Sequence, residues 1–124
     1  MAEGKQIKLL TGVYLNDIIK GIGLRAHPLV APEKAGSNYI VYQRTSLQNI
    51  ESKGRLQVYP VEAQYTITVV SDNYATSLSN TEKLLNALTD YYSDDVSDIL
   101  ILNCSESFSD DYYLQQIQIK IITK

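Results

Sequence analysis

The sequence predicts an α+β fold, a largely antiparallel sheet with helices packed on one face. Residues 61–70 (VEAQYTITVV) and 113–123 (YLQQIQIKIIT) alternate apolar and polar side chains, as strands with one buried face do. A sheet covered on both faces would show unbroken apolar runs, so the alternation favours antiparallel pairing. Residues 73–92 lie between these strands and carry apolar side chains at steps of three and four, which predicts a long central helix.

The two alternating strands define the expected apolar face of the sheet. On the first strand this face comprises Val61, Ala63, Tyr65, Ile67 and Val69. On the second it comprises Ile117, Ile119 and Ile121, with Gln116, Gln118 and Lys120 on the polar face.

The central helix is expected to begin at an N-cap formed by Ser71 or Asp72, whose side-chain oxygen can accept a backbone N–H of the first turn. One apolar stripe follows the helix at steps of three and four: Tyr74, Leu78, Thr81, Leu85, Leu88 and Tyr92. We expect this stripe to cover the sheet, with three of its leucines on Ile67, Val69, Ile117 and Ile119.

The remaining elements follow from local patterns. Residues 99–108 (ILILNCSESF) predict a strand that turns back through residues 109–111, so that it forms a C-terminal hairpin with residues 112–123. Residues 39–46 predict a further strand. Residues 47–57 are polar and contain Gly54, which predicts a loop or hairpin tip. Residues 6–14 and 17–21 predict a short or broken N-terminal helix, because Gly12 weakens it.

Length and composition predict one domain spanning residues 1–124. The chain is 44% hydrophobic and 20% charged, as ordinary globular proteins are. The single cysteine, Cys104, excludes an intrachain disulfide and favours a reducing compartment; its default interpretation is a small buried hydrophobe. The longest aliphatic run, residues 99–102, is too short to span a bilayer. We therefore expect a soluble intracellular chain without a membrane role.

Reactive groups are scarce, and we expect no enzyme. The only histidine, His27, precedes Pro28, and no nucleophile motif accompanies it. Gly21 and Gly23 begin a dinucleotide fingerprint that Ala26 breaks. We expect no cofactor.

Neither acidic cluster predicts a metal site. Residues 94–98 and 110–111 lack the alternating ligands and central glycine of a calcium loop. Tyr39, Tyr42 and Arg44 could stack nucleic-acid bases, but a pI near 5.0 without a basic cluster leaves phosphate neutralisation unsupported. We expect no specific nucleic-acid binding.

The charge is distributed unevenly along the chain. Residues 1–60 hold eight Lys and Arg against four Asp and Glu, whereas residues 61–124 hold three against ten. Two interpretations are open. The asymmetry reflects only which charges the loops happen to carry, or it indicates a charged surface that binds another surface of opposite charge.

Three passages resemble the small tail-completion proteins (tail-terminator or head–tail joining proteins) of long-tailed bacteriophages. They are HPLVAPEKAGSNYIVYQRTS, where that family has a proline-bounded extended run before a tyrosine strand; QYTITVVSDNYATSLSNTEKLLNAL, a strand leading into a helix; and SESFSDDYYLQQIQIKI, a final strand pair joined by acidic turn residues. Together they cover roughly the last four-fifths of the chain, and their order carries the resemblance.

The resemblance implies a virion protein of the phage neck, assembled in the bacterial cytoplasm. Such a subunit forms a homo-oligomeric ring, hexameric in related proteins, which caps the tail-tube protein and joins it to the head-connector or stopper protein. The proline-restricted segment 28–32 would lie extended across a neighbouring surface, with Leu29 and Val30 as interface side chains. The alternative is that both tuck under their own sheet.

The charge asymmetry adds candidate interface residues. Basic side chains of the first half would face acidic ones on the neighbouring subunit. The foremost basic candidates are Arg44 and Arg55; the acidic ones are Asp94, Asp95 and Asp98. Lys53 and Arg55 lie at the end of the 47–57 segment that would reach a connector or tail-tube partner and become ordered on meeting it. The alternative function is a cellular α+β adaptor or regulatory module that binds a ligand or partner without catalysis.

Overall fold

The structure, a computed structural model, describes residues 12–29, 36–49 and 61–123. The elements in chain order are α1 (Gly12–Gly21), β1 (Ala26–Pro28), β2 (Asn38–Asn49), β3 (Val61–Ser71), α2 (Tyr74–Asp90), β4 (Val96–Ser109) and β5 (Tyr112–Thr123). Two helices pack on one face of a five-stranded, mostly antiparallel sheet, which confirms the predicted α+β class.

The strand order in the sheet is β1-β2-β3-β5-β4. β1 pairs with β2 in parallel, and all other neighbouring pairs are antiparallel. Since β5 returns from β4 and inserts beside β3, the two alternating strands recognised in the sequence become the centre of the sheet. The edges are β1, of three residues, and β4, of fourteen.

The core lies between this sheet and both helices. On β3 and β5 the predicted apolar face is confirmed for Ala63, Tyr65, Ile67, Val69, Ile117, Ile119 and Ile121, which are all buried. The side chain of Val61 lies outside the described residues. From β2 the core receives Ile40, which is fully buried.

Helix α1 is continuous over Gly12–Gly21, so it runs through the interval between the two predicted segments, 6–14 and 17–21. Gly12 is the first residue of the helix that the structure describes, so the predicted weakness at this position stays a prediction. Its Leu15, Ile18 and Ile19 are buried in the core, and this packing outweighs the low helix propensity of glycine. Gly12 begins the helix where space is short: a Cβ there would lie 3.2 Å from Cε2 of Tyr42. Residues 6–11, also predicted as helical, lie outside the described residues.

Helix α2 is present, but it faces the sheet with a different stripe from the predicted one. Its buried residues are Ser77, Asn80, Thr81, Leu84 and Leu88. Tyr74 and Leu78 are 44% and 40% exposed, and Leu85 is only partly buried. Two residues of the predicted stripe, Thr81 and Leu88, are therefore right, and the buried face is rotated by about 60°, less than the roughly 100° between successive residues.

The rotation has a cause in polar side chains. Ser77 Oγ donates to the carbonyl oxygen of Tyr74 at 2.7 Å, and Thr81 Oγ1 donates to that of Ser77 at 2.7 Å. These local bonds satisfy both hydroxyls, so small polar residues can lie against the sheet at low cost. Gln115 of β5 meets them there, its Nε2 donating to Ser77 Oγ at 3.3 Å.

The start of α2 also differs from the prediction. The N-cap is Asn73, whose Oδ1 accepts the N–H of Thr76 at 3.0 Å. Ser71 cannot cap the helix because it ends β3, and its Oγ accepts the N–H of Asn73 at 3.2 Å. The predicted caps at Ser71 and Asp72 are wrong by one or two residues.

The C-terminal hairpin forms as predicted, with β4 and β5 paired from Val96↔Thr123 to Ser109↔Tyr112. The turn is made by Asp110 and Asp111, at φ of 52° and 70°. Aspartate tolerates this left-handed geometry better than most residues. β2 extends to Asn49, so the predicted loop 47–57 starts as strand; its remainder, with Gly54, lies outside the described residues.

Candidate functional site

An open groove of about 470 Å³ lies at the β1–β2 edge of the sheet. We call it the edge groove. It is lined by Gly12, Val13, Pro28, Leu29, Tyr42, Gln43, Arg44 and Tyr65. Two predicted interface residues, Leu29 and Arg44, thus share one surface feature although they are 15 positions apart in the sequence.

Leu29 is held in an exposed position by the backbone. Its φ is 67°, a left-handed value uncommon for leucine, and its N–H donates to the carbonyl oxygen of Tyr42 at 2.8 Å. The side chain is 64% exposed and does not tuck under its own sheet. Such a conformation costs about 1–3 kcal/mol, so packing and the bond to Tyr42 must offset it. Val30 lies outside the described residues.

Two tyrosines form the inner wall of the edge groove. The ring centroids of Tyr42 and Tyr65 are 6.1 Å apart, and the rings are tilted by 55°. Burial raises the pKa of Tyr42 above its ordinary value, and the neighbouring Tyr65 adds to this effect. Tyr65 is buried in the core. Arg44, by contrast, is exposed at the rim. The groove therefore combines an apolar aromatic wall with a cation at its mouth.

Two of the predicted acidic residues, Asp94 and Asp95, lie between α2 and β4, and the third, Asp98, lies near the start of β4. Tyr92 Oη donates to Oδ1 of Asp94 at 3.0 Å, and the N–H of Ile99 donates to Oδ1 of Asp98 at 2.8 Å. The N–H of Asp95 donates to Ser93 Oγ at 3.2 Å.

A partly buried tyrosine of α1 lies within electrostatic reach of this segment. The pKa of Tyr14 is raised chiefly by burial and then by the charge of Asp95. The residues that lead into β4 form a hydrogen-bonded turn, which is closed by a bridge between Ser93 and Val96.

The structure separates the predicted basic and acidic groups. Arg44 belongs to β2, on the side of the sheet where β1 is the edge, whereas Asp98 belongs to β4, the opposite edge. Lys53 and Arg55 lie outside the described residues.

The edge strand β4 exposes apolar side chains along its length. Leu100, Ile101 and Leu102 are 38%, 39% and 47% exposed, and Phe108 is 58% exposed. Cys104 is exposed as well, so its predicted burial is wrong. The reason is its place in the sheet, because α2 lies mainly over β3 and β5. A register shift between Ile101 and Asn103 marks a bulge in this strand.

A second pocket, of about 270 Å³, lies between the start of α2 and the end of β4. We call it the aromatic pocket. It is lined by Tyr74, Glu106, Ser107, Phe108 and Tyr113. Sequence reasoning missed it, although Phe108 and Tyr113 flank the hairpin turn and pair across the strands. Tyr74 completes the pocket only because α2 is rotated away from the predicted face.

His27 does not belong to a reactive cluster. Its ring lies 6.0 Å from that of Tyr39, edge to face, and its Nε2 is buried without a hydrogen-bond partner. Among the described residues, no group of three or more His, Cys, Asp or Glu is placed to hold a metal ion. No helix in residues 12–29, 36–49 or 61–123 is long and apolar enough to cross a membrane.

Comparison with known proteins gives a likeness in structure and none in sequence. No protein-family model matches the chain. No curated protein matches it either. A solved chain from the virion of a native gene transfer agent particle superposes with a TM-score of 0.60 at 13% sequence identity, over 86% of this chain and 83% of that one. At this identity the likeness establishes a shared fold.

Proposed function

We propose that this chain is a virion structural protein that acts through assembly, without catalysis. One observation carries the proposal: the fold is shared, over most of both chains, with a chain of a gene transfer agent virion. Because folds host many functions, the proposal also draws on the surfaces. The resemblance of three passages to phage tail-completion proteins points to the same class of particle.

We infer further that the chain forms a head-to-tail ring, a hexamer as in tail-completion proteins, at the head-proximal end of the tail. A ring of this kind uses two different surfaces on each subunit. The described part of the chain has exposed apolar surfaces at opposite sides of the sheet, the edge groove and β4. The first carries Arg44 at its rim, and the second carries Asp98. The tail-tube protein and the head connector or stopper would then bind the two faces of the ring.

Solution mass and electron microscopy test the ring. Light scattering across a range of protein concentrations should give a discrete multimer of the 13.9 kDa chain, and negative staining should show closed rings with six subunits. The interface variant Leu29→Ser changes an exposed groove residue and should shift the mass toward monomer while the circular-dichroism spectrum stays the same. A monomer at every concentration, with and without purified tail tubes, would contradict the ring.

The virion location is tested separately. Mass spectrometry of purified particles should detect the chain at a low, fixed copy number relative to the major capsid protein, and antibodies should label the neck. A chain found only in the cell lysate would favour the adaptor alternative instead.

A further inference from the structure

The aromatic pocket has the construction of a cation-binding site. Tyr74 enters from the first turn of α2, Phe108 from β4 and Tyr113 from β5. The ring centroids of Tyr74 and Tyr113 are 5.4 Å apart, and those of Phe108 and Tyr113 are 4.8 Å apart, with both pairs tilted rather than stacked. Three aromatic rings around one cavity present the electron-rich surfaces that attract an organic cation.

A carboxylate stands in the same pocket, and its position is fixed. Tyr74 Oη donates to the two oxygens of Glu106 at 3.1 and 3.3 Å, and Gln115 Nε2 donates to its Oε1 at 3.1 Å. Gln115 is 7% exposed and also bonds Ser77, so a buried amide anchors the acid. A carboxylate accepts about four hydrogen bonds. Two donors are present, which leaves room for a two-pronged donor such as a guanidinium.

The local charge favours a cation. Residues 84–119 contain seven Asp and Glu and no Lys or Arg. The start of α2 opposes this with about half a positive charge, but Glu106 bears a full negative charge. Asp110 and Asp111 follow close to Phe108 in the hairpin turn.

The chain contains three arginines, Arg25, Arg44 and Arg55. The two that are described, Arg25 and Arg44, are exposed at the side of the sheet opposite the aromatic pocket. A head-to-tail contact brings that side of one copy to the β4 edge of the next.

The strand register selects one of these arginines. A single row crosses all five strands: Ala26, Ile40, Val69, Gln115 and Glu106. Arg25 directly precedes Ala26, at the far end of the row that ends in Glu106. If the ring axis runs along the strands, this row continues from one copy into the next, so Arg25 arrives at the level of the neighbour's pocket.

We propose that the aromatic pocket receives a guanidinium group, and that Arg25 of a neighbouring copy supplies it. The choice of Arg25 rests on the ring under Proposed function, whereas the preference of the pocket for guanidinium does not. The guanidinium would stack on the rings and bond both oxygens of Glu106.

The pocket is tested with a free probe in the Arg25→Gln protein, in which the proposal leaves it vacant. N-acetylarginine methylamide is titrated while NMR follows the ring signals of Tyr74, Phe108 and Tyr113. We expect saturable shifts there, and binding weaker by about tenfold for the neutral citrulline analogue and in Glu106→Gln. The matched control, Glu82→Gln, changes an exposed carboxylate of α2 outside the pocket and should bind as before. Equal binding of arginine and citrulline, or no effect of Glu106→Gln, would overturn the pocket.

Exchange of the two charges in the self-association assay tests whether Arg25 of a neighbouring copy supplies the guanidinium group. Arg25→Glu and Glu106→Arg should each weaken association by about tenfold, and the double exchange should restore most of it. Lys20→Glu, on exposed α1 surface, is the control and should change little. If the pocket binds the probe and the wild-type multimer persists in Arg25→Glu, Arg25 is the wrong source and the ring stands. If the wild type never associates while the probe still binds, the ring fails and the pocket stands.

Discussion

Strands β4 and β5 lie side by side and contain similar apolar residues, yet these side chains are buried in β5 and exposed in β4. Ile117, Ile119 and Ile121 of β5 are fully buried, whereas Ile101 and Leu102 of β4 are 39% and 47% exposed. Ile101 is the direct cross-strand partner of Ile119, so one cross-strand pair has a buried and an exposed member. Because both members of this pair are isoleucines, the position of the strand in the sheet, and not the residue type, decides whether the side chain stabilises the fold or remains available for a partner.

The edge position of β4 makes the difference consequential. A long edge strand with exposed apolar residues invites pairing with other chains unless it is blunted. The opposite edge is blunted by its three-residue length and by Pro28. β4 has fourteen residues and no proline; its protection is limited to a bulge and to charges such as Asp98 and Glu106. β5 therefore stabilises the fold, whereas β4 is the edge left exposed for the association that we propose.

The largest expected effect separates the two members of that cross-strand pair. Ile119→Ala removes buried atoms and should lower the free energy of unfolding by about 2–5 kcal/mol. Ile101→Ala removes partly exposed atoms and should cost less than half as much. Chemical denaturation of both variants measures the difference. Equal losses would mean that β4 is as much part of the core as β5.

A second set of variants tests the rotation of α2 relative to the predicted face. Leu84→Ala, at a fully buried position, should cost about 2–5 kcal/mol, and Leu78→Ala, at a 40% exposed one, about 1 kcal/mol or less. Leu85→Ala should fall between them. If Leu78→Ala proved the most costly in urea titrations, the helix would face the sheet as the sequence pattern predicted.

A third variant addresses association rather than folding. Leu102→Ser should leave the free energy of unfolding within about 0.5 kcal/mol of wild type and weaken self-association by about tenfold, as expected of a truncated apolar anchor. Analytical ultracentrifugation gives the association constant. Asn103→Ser, at the next exposed position, serves as the control. Unchanged association would remove β4 from the interface.

Charge reversal should have a smaller effect. Arg44→Glu with Arg55→Glu should weaken assembly, and reversal of Asp94, Asp95 and Asp98 to lysine should restore part of it. Each exposed pair contributes about 0.2–1 kcal/mol. Salt should slow association more than it lowers final stability, because charges at a rim mainly steer encounter. Assembly of the arginine variant at the wild-type rate would leave the charge asymmetry without a role.

The smallest effect concerns the tyrosine wall of the edge groove. Burial raises the pKa of Tyr42 above 10.0 in the folded chain. The folded state therefore holds this proton more tightly than the unfolded state, so the contribution is complete below about pH 10 and is lost as pH rises through the folded pKa. Unfolding free energies between about pH 9 and 11 should fall less steeply in Tyr42→Phe than in wild type. Identical slopes would place the ring of Tyr42 in solvent.

The centre of the fold could be predicted from sequence, and the reason is periodicity. Ile117, Ile119 and Ile121 alternate with polar residues, and only one face of such a strand can be buried. The hairpin was equally accessible, because Asp110 and Asp111 suit a left-handed turn.

The helix face and the edge strand could not be predicted in the same way. Hydrophobic periodicity predicts that Leu78, and not Ser77, faces the sheet. In the structure Ser77 faces the sheet, where Gln115 donates a long-range hydrogen bond to it. Likewise, the apolar run at residues 99–102 resembles a buried strand, and nothing local reveals that β5 would insert between it and β3. The burial predicted for Cys104 is wrong for the same reason, because its strand lies at the edge of the sheet.

Some residues of the candidate site could be selected from the sequence, but their arrangement in space could not. Leu29 and Arg44 were selected for apolar exposure and charge, and the structure brings them together in the edge groove. The aromatic pocket needed the rotated helix and the hairpin at once, so no single stretch of sequence carried it.

Cross-linking of the two edges of the sheet is the sharpest test of the proposed head-to-tail ring. Cys104 is exposed on β4, and one row of the sheet joins it through Ile117 and Ile67 to Tyr42, the neighbour of exposed Gln43. With its single thiol the wild type can form dimers at most when treated with a short bismaleimide. Gln43→Cys adds a second thiol at the opposite side, and a head-to-tail ring predicts a ladder of cross-linked multimers that ends at six. A ladder absent from Gln43→Cys, with dimers alone in both proteins, would contradict the account.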